Sequence, residues 1–434
     1  MDTAKPLQDL EPAAVEPASP HWVAAGSRAC WQINLALFLA GLATFSLLYC
    51  VQPLLPLLAG TFAVSPAQSA LALSLSTGTL ALAILAASAW SVHLDHRRLM
   101  FWSMILAASA NLLASQLGSW PALLVARTLV GLCMGGVPAV AMAYLAEHIE
   151  PRGLGFSTGL YVGGTALGGM TGRVVVSWLV GVVSWRNALA LLSMADLLLA
   201  IGFILLLPPA THPRQRQSEA ADGAYGLTTH LAIWHGHLRQ PRLRRLFCLP
   251  FLAMGAFVTI YNYAGFHLMA APFHLSLGRI GLMFGAYVFG IAAAPAGGWL
   301  ADRWGRPPVV VLGTGTALTG VLLTLSGDLG WVVTGVILLT VGFFMAHATA
   351  SGWIGKLADG HKGHATALYL LSYYSGSSVL GAIGGWFWQW HGWPAVVAYA
   401  AALLLWMVWL AAGLAGGDAD ESAALVGAFA SKGP

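Results

Sequence analysis

The strongest constraint on the fold is a series of twelve apolar runs, each about as long as a bilayer core is thick. A transmembrane helix needs about 20 predominantly apolar residues. Runs of this kind lie near residues 31–59, 67–92, 98–117, 120–146, 153–182, 185–208, 246–272, 278–301, 307–326, 329–355, 363–388 and 392–414. Only 8% of residues are charged, against about 25% in soluble domains. The sequence predicts an all-α membrane protein, whose spans we number 1 to 12 in chain order.

The longest polar interruption divides the chain into two sets of six spans. We expect a disordered cytoplasmic tail over 1–30, a six-helix bundle over 31–208, a connecting loop over 209–245, a second six-helix bundle over 246–414 and a cytoplasmic tail over 415–434. The first thirty residues lack the apolar core of a signal peptide. Most of the 20 Lys and Arg residues fall on one side if the amino terminus is inside. The enrichment of cytoplasmic loops in these residues predicts that both termini are cytoplasmic.

A charged turn recurs in the two halves of the chain. Gly298–Arg306 reads Gly-Trp-Leu-Ala-Asp-Arg-Trp-Gly-Arg, and Ser91–Arg98 reads Ser-Val-His-Leu-Asp-His-Arg-Arg. Thr158-Gly-Leu-Tyr161 and Thr366-Ala-Leu-Tyr369 repeat at almost the same offset. The chain therefore looks duplicated.

The form Gly-x-x-x-Asp-Arg-x-Gly-Arg resembles the signature of the major facilitator superfamily. The second copy matches fully, whereas the first has Ser91 for the leading glycine and lacks the glycine before the final arginine. The chain looks most similar to arabinose efflux permeases and drug:proton antiporters of the bacterial inner membrane. The resemblance implies two pseudo-symmetric six-helix bundles, with the substrate path between them near mid-membrane.

The resemblance also assigns a conformational gate to the charged turns. Asp302 is expected to meet the positive amino end of span 5 near Gly153, which is favourable for a carboxylate, and so to close the cytoplasmic side. The gate residues are Asp95, Arg97, Arg98, Gly298, Asp302, Arg303, Gly305 and Arg306. A topogenic charge cluster explains the arginines but not the aspartate and both glycines.

Two glycine-containing motifs suggest proton coupling. Arg127 opens Arg-x-x-x-Gly-x-x-x-Gly in span 4, and a cation within a span costs about 2.5–3.5 kcal/mol on insertion scales. The motif resembles that of proton-driven antiporters, although its glycines also suit close helix packing. Gly164-x-x-x-Gly168-Gly169-x-x-Gly172 in span 5 resembles the antiporter signature, with Gly169 where the usual pattern has proline. The alternative is that these glycines only pack against a neighbouring helix.

A second cation and one carboxylate complete the proton-coupling candidates. Arg173 in span 5 and Asp196 in span 6 are expected at similar depth, where they could pair. Asp196 is the only carboxylate within a predicted span, which makes it the first candidate for a proton carrier. The alternative is a structural role, with Asp196 bonded to Asn111 of span 3 or to another polar group.

Polar and aromatic residues of the expected cavity spans are the candidates for substrate binding. Span 1 combines them with Pro53-x-x-Pro56, which resembles the first-span motif of drug and sugar efflux proteins. Such side chains hydrogen-bond or stack on substrates, although many will only pack. The candidates are Tyr49, Gln52, Tyr161, Tyr261, Asn262, Tyr263, His347, Tyr369, Tyr373 and Tyr374.

The leading hypothesis is proton-coupled efflux of a small solute, such as a sugar or a drug-like compound, by a monomer that alternates access. Proton symport or facilitated uptake of a similar solute is the alternative. A transport-like sensor would need a soluble output domain, and an enzyme would need a convergent catalytic set; neither is evident. We expect no cofactor or metal, because phosphate-binding loops and metal-ligand spacings are absent from the sequence. We expect no nucleic-acid partner, because the basic residues are scattered between the apolar spans and form no patch. The expected partners are the solute, protons and the lipid bilayer.

Overall fold

The computed structural model describes residues 22–90, 95–208, 226–358 and 360–430, with side chains as far as residue 414 except that of Trp90. Residues 1–21 of the expected tail over 1–30, residues 209–225 of the expected loop over 209–245 and residues 431–434 lie outside the described residues, as do Ser91 to Leu94 of the first charged turn. The segment just before span 1 is hydrogen-bonded to the end of span 4, since Val23 donates its N–H to the His148 carbonyl at 2.8 Å.

The N-terminal half consists of spans 1 to 6. Their helices are Arg28–Phe62, Pro66–Trp90, His96–Gln116, Trp120–His148, Pro151–Leu179 and Trp185–Leu206. A connector helix, Leu227–Arg239, follows and buries His230, Trp234 and His237. This part of the expected loop is thus helical, and it contacts spans 7 and 11.

The C-terminal half consists of spans 7 to 12. Spans 7 to 10 are Pro241–Met269, Leu277–Trp304, Arg306–Leu323 and Leu329–Leu357. Span 11 covers 362–390 with a π-helical turn at Gly376–Leu380, and span 12 starts after the backbone leaves helical geometry at His391 and Gly392. The helix of span 12 continues to Ala430.

Ten helices of the described chain are long and apolar enough to cross a membrane. Span 5 is not among them, because its many glycines lower its hydropathy, and spans 11 and 12 count as one continuous helix. Adding span 5 and separating spans 11 and 12 gives twelve. The predicted all-α membrane fold with twelve helices is confirmed.

The glycines of span 5 allow close contact with span 1. A Cβ atom built on Gly164, Gly168 or Gly172 would lie 2.6, 2.2 or 2.4 Å from the backbone carbonyl oxygens of Phe38, Leu42 and Ser46, respectively. No side chain fits between these two backbones. The packing interpretation of the span 5 motif therefore holds for these three glycines, in addition to any role in antiport.

Gly168→Ala should destabilise the protein by about 1–3 kcal/mol, the usual cost of overpacking, because the new methyl group would meet the Leu42 backbone. Gly163→Ala is the matched control in the same helix, since a Cβ there meets no atom within 4 Å. The midpoint of thermal unfolding in detergent measures both. Equal midpoints for the two variants would contradict the close contact of spans 1 and 5.

The two halves contact each other away from the charged turns. We call the end of the bundle that carries Asp95 and Asp302 the charged-turn face, and the other end the opposite face. Span 2 contacts span 11, span 5 contacts span 8, and span 1 contacts span 7. Toward the opposite face a Cβ built on Gly281 of span 8 would lie 2.3 Å from Ser177 Cβ of span 5, and one on Gly385 of span 11 would lie 2.4 Å from Ala67 Cα of span 2.

Spans 5 and 8 show no such close glycine contact toward the charged-turn face. Cβ atoms built on Gly155 and Gly159 of span 5, or on Gly298 of span 8, would meet nothing within 4 Å. The close contacts between these two spans therefore lie toward the opposite face, where the structure is closed.

Candidate functional site

The site is built around a break in span 1. The helix leaves α geometry after Tyr49, passes through a 3-10 turn at Gln52–Leu54 and resumes at Leu55. Pro53 and Pro56 have no N–H to donate, so each removes a helical hydrogen bond here and favours the break. The last carbonyls of a helix lack intrahelical partners and are free to accept from elsewhere. We call residues 46–52 the span 1 junction.

Arg127 binds the carbonyls of the span 1 junction. Its Nη2 donates to the Leu48 carbonyl at 2.8 Å and its Nη1 to the Leu47 carbonyl at 3.2 Å. Nε donates to the Ala72 carbonyl of span 2 at 3.1 Å, and Nη1 also donates to Asn111 Oδ1 of span 3 at 2.8 Å. The side chain is fully buried. The guanidinium thus fastens spans 1, 2, 3 and 4 together.

Asp196 contacts the start of the same junction. Its carboxyl oxygens lie 2.8 and 3.0 Å from the Ser46 hydroxyl, which is also 2.9 Å from the Ala43 carbonyl. The residue is 2% exposed. Ser46 is its only hydrogen-bond partner in the described part of the chain, so this carboxyl is buried with no cation beside it.

Two pairings suggested by the sequence are not formed. Arg173 does not pair with Asp196, and Asn111 donates to Ser193 at 2.9 Å and not to Asp196. Similar depth in the membrane brings two side chains together only if their helices also turn them toward each other. Asp196 faces span 1, whereas Arg173 faces the contact between the two halves.

Arg173 forms the polar centre of the contact between the halves. Nε donates to Gln52 Oε1 at 2.6 Å, and Nη1 donates to the carbonyl of Gly169, one turn earlier, at 2.7 Å. The guanidinium carbon lies 4.0 Å from the ring centre of Tyr49, 4.9 Å from that of Tyr287 and 5.3 Å from that of Phe284. This cation is held by a side-chain amide, a backbone carbonyl and three rings.

Gln52 carries the contact across to the C-terminal half. Its Nε2 donates to Asn262 Oδ1 of span 7 at 2.7 Å. Gln52 and Asn262 are both about 1% exposed. In the described structure Arg173 Nη2 and Asn262 Nδ2 have no hydrogen-bond partner. The predicted substrate residues Gln52 and Asn262 therefore lie together, next to the predicted coupling residue Arg173.

The aromatic candidates of the C-terminal half, except Tyr263, form one cluster. Tyr261 bonds Thr340 at 2.7 Å, and Tyr369 lies 3.0 Å from His347 Nδ1. His347 and Tyr373 have ring centres 4.6 Å apart, and the ring centre of Tyr374 lies 5.0 Å from that of Tyr373. Sequence reasoning missed four rings of this aromatic cluster, because aromatics in apolar runs give no signal of which way they face: Phe257, Phe284, Tyr287 and Phe343.

Two predicted substrate residues lie elsewhere. The Tyr263 hydroxyl is within 3.3 Å of the carbonyls of Gly381 and Ala382, so it joins span 7 to span 11. Tyr161 is buried in the N-terminal half, where its hydroxyl has no described partner. Neither belongs to the aromatic cluster.

The first charged turn caps helices. Asp95 is the N-cap of span 3 and accepts from the N–H groups of Arg97 and Arg98 at 3.0 and 3.3 Å. Arg97 donates to the carbonyls of Ile204 and Leu207 at 2.7 and 3.1 Å, at the end of span 6. A cation at a helix carboxyl end is favourable, so Arg97 ties span 3 to span 6.

The second charged turn does not make the contact that the resemblance implies. Asp302 is exposed and forms no hydrogen bond or ion pair with any described residue, while the space beside Gly153 is filled by Ala25 and Ile149. Arg303 lies 3.8 Å above the ring of Trp299, and Gly305 has a φ of 85°, which favours glycine. The contact is missing in this conformation, in which the close contacts of spans 5 and 8 lie toward the opposite face.

Two six-helix halves that meet around buried polar groups and close at one face define a membrane transporter. Comparison with known proteins agrees. The chain belongs to the Major Facilitator Superfamily, whose model matches residues 37–271 and 246–430. The protein is therefore a multi-pass integral membrane transporter and not an enzyme, as the sequence predicts. No group of three or more potential metal ligands occurs among the described residues.

The similar proteins described below are transporters, and the similarity covers nearly their whole length. The inner membrane transport protein YnfM of Escherichia coli is 39% identical over 385 residues, which cover 89% of this chain and 91% of that protein. The uncharacterised transporter YybF of Bacillus subtilis is 37% identical over 88% of this chain and 93% of its own length. The solved nucleoside transporter NupG has a TM-score of 0.71 at 15% identity, covering 89% of this chain and 99% of that structure. The last match concerns the fold alone.

Proposed function

We propose that this transporter exports a small solute from the bacterial cytoplasm in exchange for protons. The observation that carries the proposal is the environment of Asp196: a buried carboxyl, bonded to Ser46 alone among the described residues, beside the helix break that Arg127 also binds. A carboxyl without a cation can take up and release a proton, and the Ser46 bond links that event to span 1.

The span 1 junction offers a route from the proton to the solute. Ser46 contacts Asp196, Leu47 and Leu48 contact Arg127, and Tyr49 and Gln52 contact Arg173 at the contact between the halves. Protonation of Asp196 changes what the Ser46 hydroxyl can donate to. A shift of the junction then moves Gln52, which holds the halves together at the opposite face through Asn262.

Outward direction is supported by the glycine pattern of span 5 and the two prolines of span 1, which resemble efflux proteins. In the other conformation Asp302 meets the amino end of span 5 and closes the charged-turn face, which is cytoplasmic, as are both termini. The monomer contains the complete path.

The test compares Asp196→Asn with the wild type in inverted membrane vesicles, using a pH-sensitive dye and a panel of pentoses, hexoses and lipophilic cations. The wild type should release protons from the acidified lumen when solute is added. Asp196→Asn should lose nearly all of this release and still exchange labelled solute across the membrane, since the amide keeps the shape but cannot carry the proton.

Asp328→Asn is the matched control. Asp328 caps span 10 by accepting from Gly330 and Trp331, and asparagine is an equally good cap, so coupling should be unchanged. Wild-type proton release by Asp196→Asn would overturn the assignment of the proton site. Proton movement in the same direction as the solute would replace export by symport.

A further inference from the structure

The donor and acceptor roles in the hydrogen-bond network of Arg173 are fixed. A guanidinium only donates, so Gln52 must turn its carbonyl oxygen toward Arg173, as it does at 2.6 Å. The amide NH2 of Gln52 then points to Asn262, which must accept with its own carbonyl oxygen, at 2.7 Å. Asn262 is left with an NH2 group at the far end. The chain of bonds cannot be reversed while the arginine is charged.

Every group that remains unused in this network is therefore a donor. Arg173 Nη2 and Asn262 Nδ2 are both buried and both without a partner among the described residues. Arg173 also has no carboxylate near it among the residues that the structure describes, since its other contacts are the Gly169 carbonyl and three aromatic rings. A buried cation without a counter-ion is costly inside a membrane, and unsatisfied buried donors add to that cost.

We infer that Arg173 and Asn262 bind the carboxylate of an organic anion, the solute that this protein moves. A carboxylate has only acceptors and matches a guanidinium edge, so it complements both free donors and neutralises the charge. The inference rests on the proposed function and narrows it, because it favours an acid over the neutral sugars of the panel.

The surrounding rings indicate what carries the carboxylate. Phe284 and Tyr287 face Arg173, and Phe284 stacks on Tyr261 with ring centres 5.3 Å apart at 21°. The aromatic cluster continues from there to Phe257. These surfaces suit a flat, apolar body. The ligand class is an aromatic or otherwise planar monocarboxylate.

The position of the donors links binding to the transport cycle. Arg173 and Gln52 belong to the N-terminal half and Asn262 to the C-terminal half, and all are enclosed when the opposite face is closed. Rings within 4.0–5.3 Å of the guanidinium must move aside before a carboxylate enters. Anion binding thus favours separation of spans 1 and 5 from spans 7 and 8.

Binding to the purified full-length protein tests the inference without any proton gradient. The probe is benzoate, the neutral control ligand is benzamide, and the readout is the ligand-dependent rise of the unfolding temperature, from which an apparent Kd follows. Benzoate should stabilise the wild type, whereas benzamide and chloride at equal concentration should not. Equal stabilisation by benzamide overturns the carboxylate, and equal stabilisation by chloride overturns the organic anion.

Gln52→Glu is the informative variant. Its carboxylate keeps the bond to Arg173 and supplies a counter-ion, and the Asn262 amide can turn to donate to the second oxygen. We expect a protein at least as thermostable as the wild type, with benzoate affinity reduced about 10-fold or more, as for loss of a charge-assisted hydrogen bond. Wild-type affinity in this variant would overturn the site.

Two further variants make the result decisive. Asn187→Asp adds the same negative charge at the exposed start of span 6 and should bind benzoate like the wild type. Asn262→Asp replaces the free donor by an acceptor and should also lose benzoate, which provides a second measurement if Gln52→Glu does not fold. Proton release with sugars or cations but no benzoate binding would reject the carboxylate and leave the proposed export intact.

Discussion

Arg127→Met is expected to remove most of the folded protein from the membrane. Methionine approximates the length of the arginine stem but cannot donate, so the carbonyls of Leu47, Leu48 and Ala72 and the side-chain oxygen of Asn111 all lose a bond. Each buried acceptor left unsatisfied costs about 1–3 kcal/mol. The Leu47 and Ala72 carbonyls keep bonds from Cys50 Sγ at 3.1 Å and Ser76 Oγ at 3.2 Å, so the cost falls mainly on the Leu48 carbonyl and the Asn111 oxygen. Even this loss is a large part of the whole stability of an ordinary domain, about 5–15 kcal/mol.

Size-exclusion chromatography of a fluorescent fusion measures the folded fraction, and thermal unfolding measures the stability of what remains. Arg303→Met is the matched control, because Arg303 is exposed and lies on Trp299; it should give a wild-type profile. Arg127→Lys keeps the charge but not the planar set of donors and should fall between the two. Well-folded Arg127→Met of normal stability that fails to transport would show that Arg127 acts in coupling and does not hold the bundle.

Gly281→Val is expected to shift the protein away from the conformation that is closed at the opposite face. The new Cβ would lie 2.3 Å from Ser177 Cβ across the contact between spans 8 and 5. Overpacking of this kind costs about 1–3 kcal/mol, which corresponds to about a 5- to 150-fold change in a conformational equilibrium. The clash disappears when spans 5 and 8 separate at that face.

Spin labels on Arg152→Cys and Lys356→Cys report the change, in a background without Cys30, Cys50, Cys133 and Cys248. Both label sites are exposed at the charged-turn face, one at the start of span 5 and one at the end of span 10. The distance between them should shorten in Gly281→Val as this face closes. Gly285→Val, one turn along the same span, meets nothing within 4 Å and should leave the distance unchanged. A common distribution in both variants would argue against alternating access about this contact.

Much of this architecture could be predicted from the sequence because membranes restrict it severely. A charge inside an apolar run is conspicuous, so Arg127, Arg173 and Asp196 could be singled out before their surroundings were known. The chain position of each residue also gives its depth. Depth does not give the direction in which a helix turns a side chain, and for that reason the pairing of Arg173 with Asp196 was wrong.

The aromatic cluster is a second case in which the sequence does not give the direction of a side chain. Phe284 and Tyr287 lie against Arg173, yet in sequence they resemble any aromatic of a lipid-facing helix. The break of span 1 could be predicted in part, since Pro53 and Pro56 indicate it. An arginine of span 4 binds the freed carbonyls. Only the packing of the helices reveals this contact.

The span 1 junction has a consequence for how this protein can change over evolutionary time. Ser46, Leu47, Leu48, Tyr49 and Gln52 meet side chains of spans 6, 4, 5 and 7. Deleting or inserting one residue here would rotate everything beyond it by about 100°, because a helical turn holds 3.6 residues. Side chains of this segment can be substituted, whereas its length cannot change. Homologues that keep this mechanism should therefore align through these seven positions without a gap, even where the flanking helices differ in length.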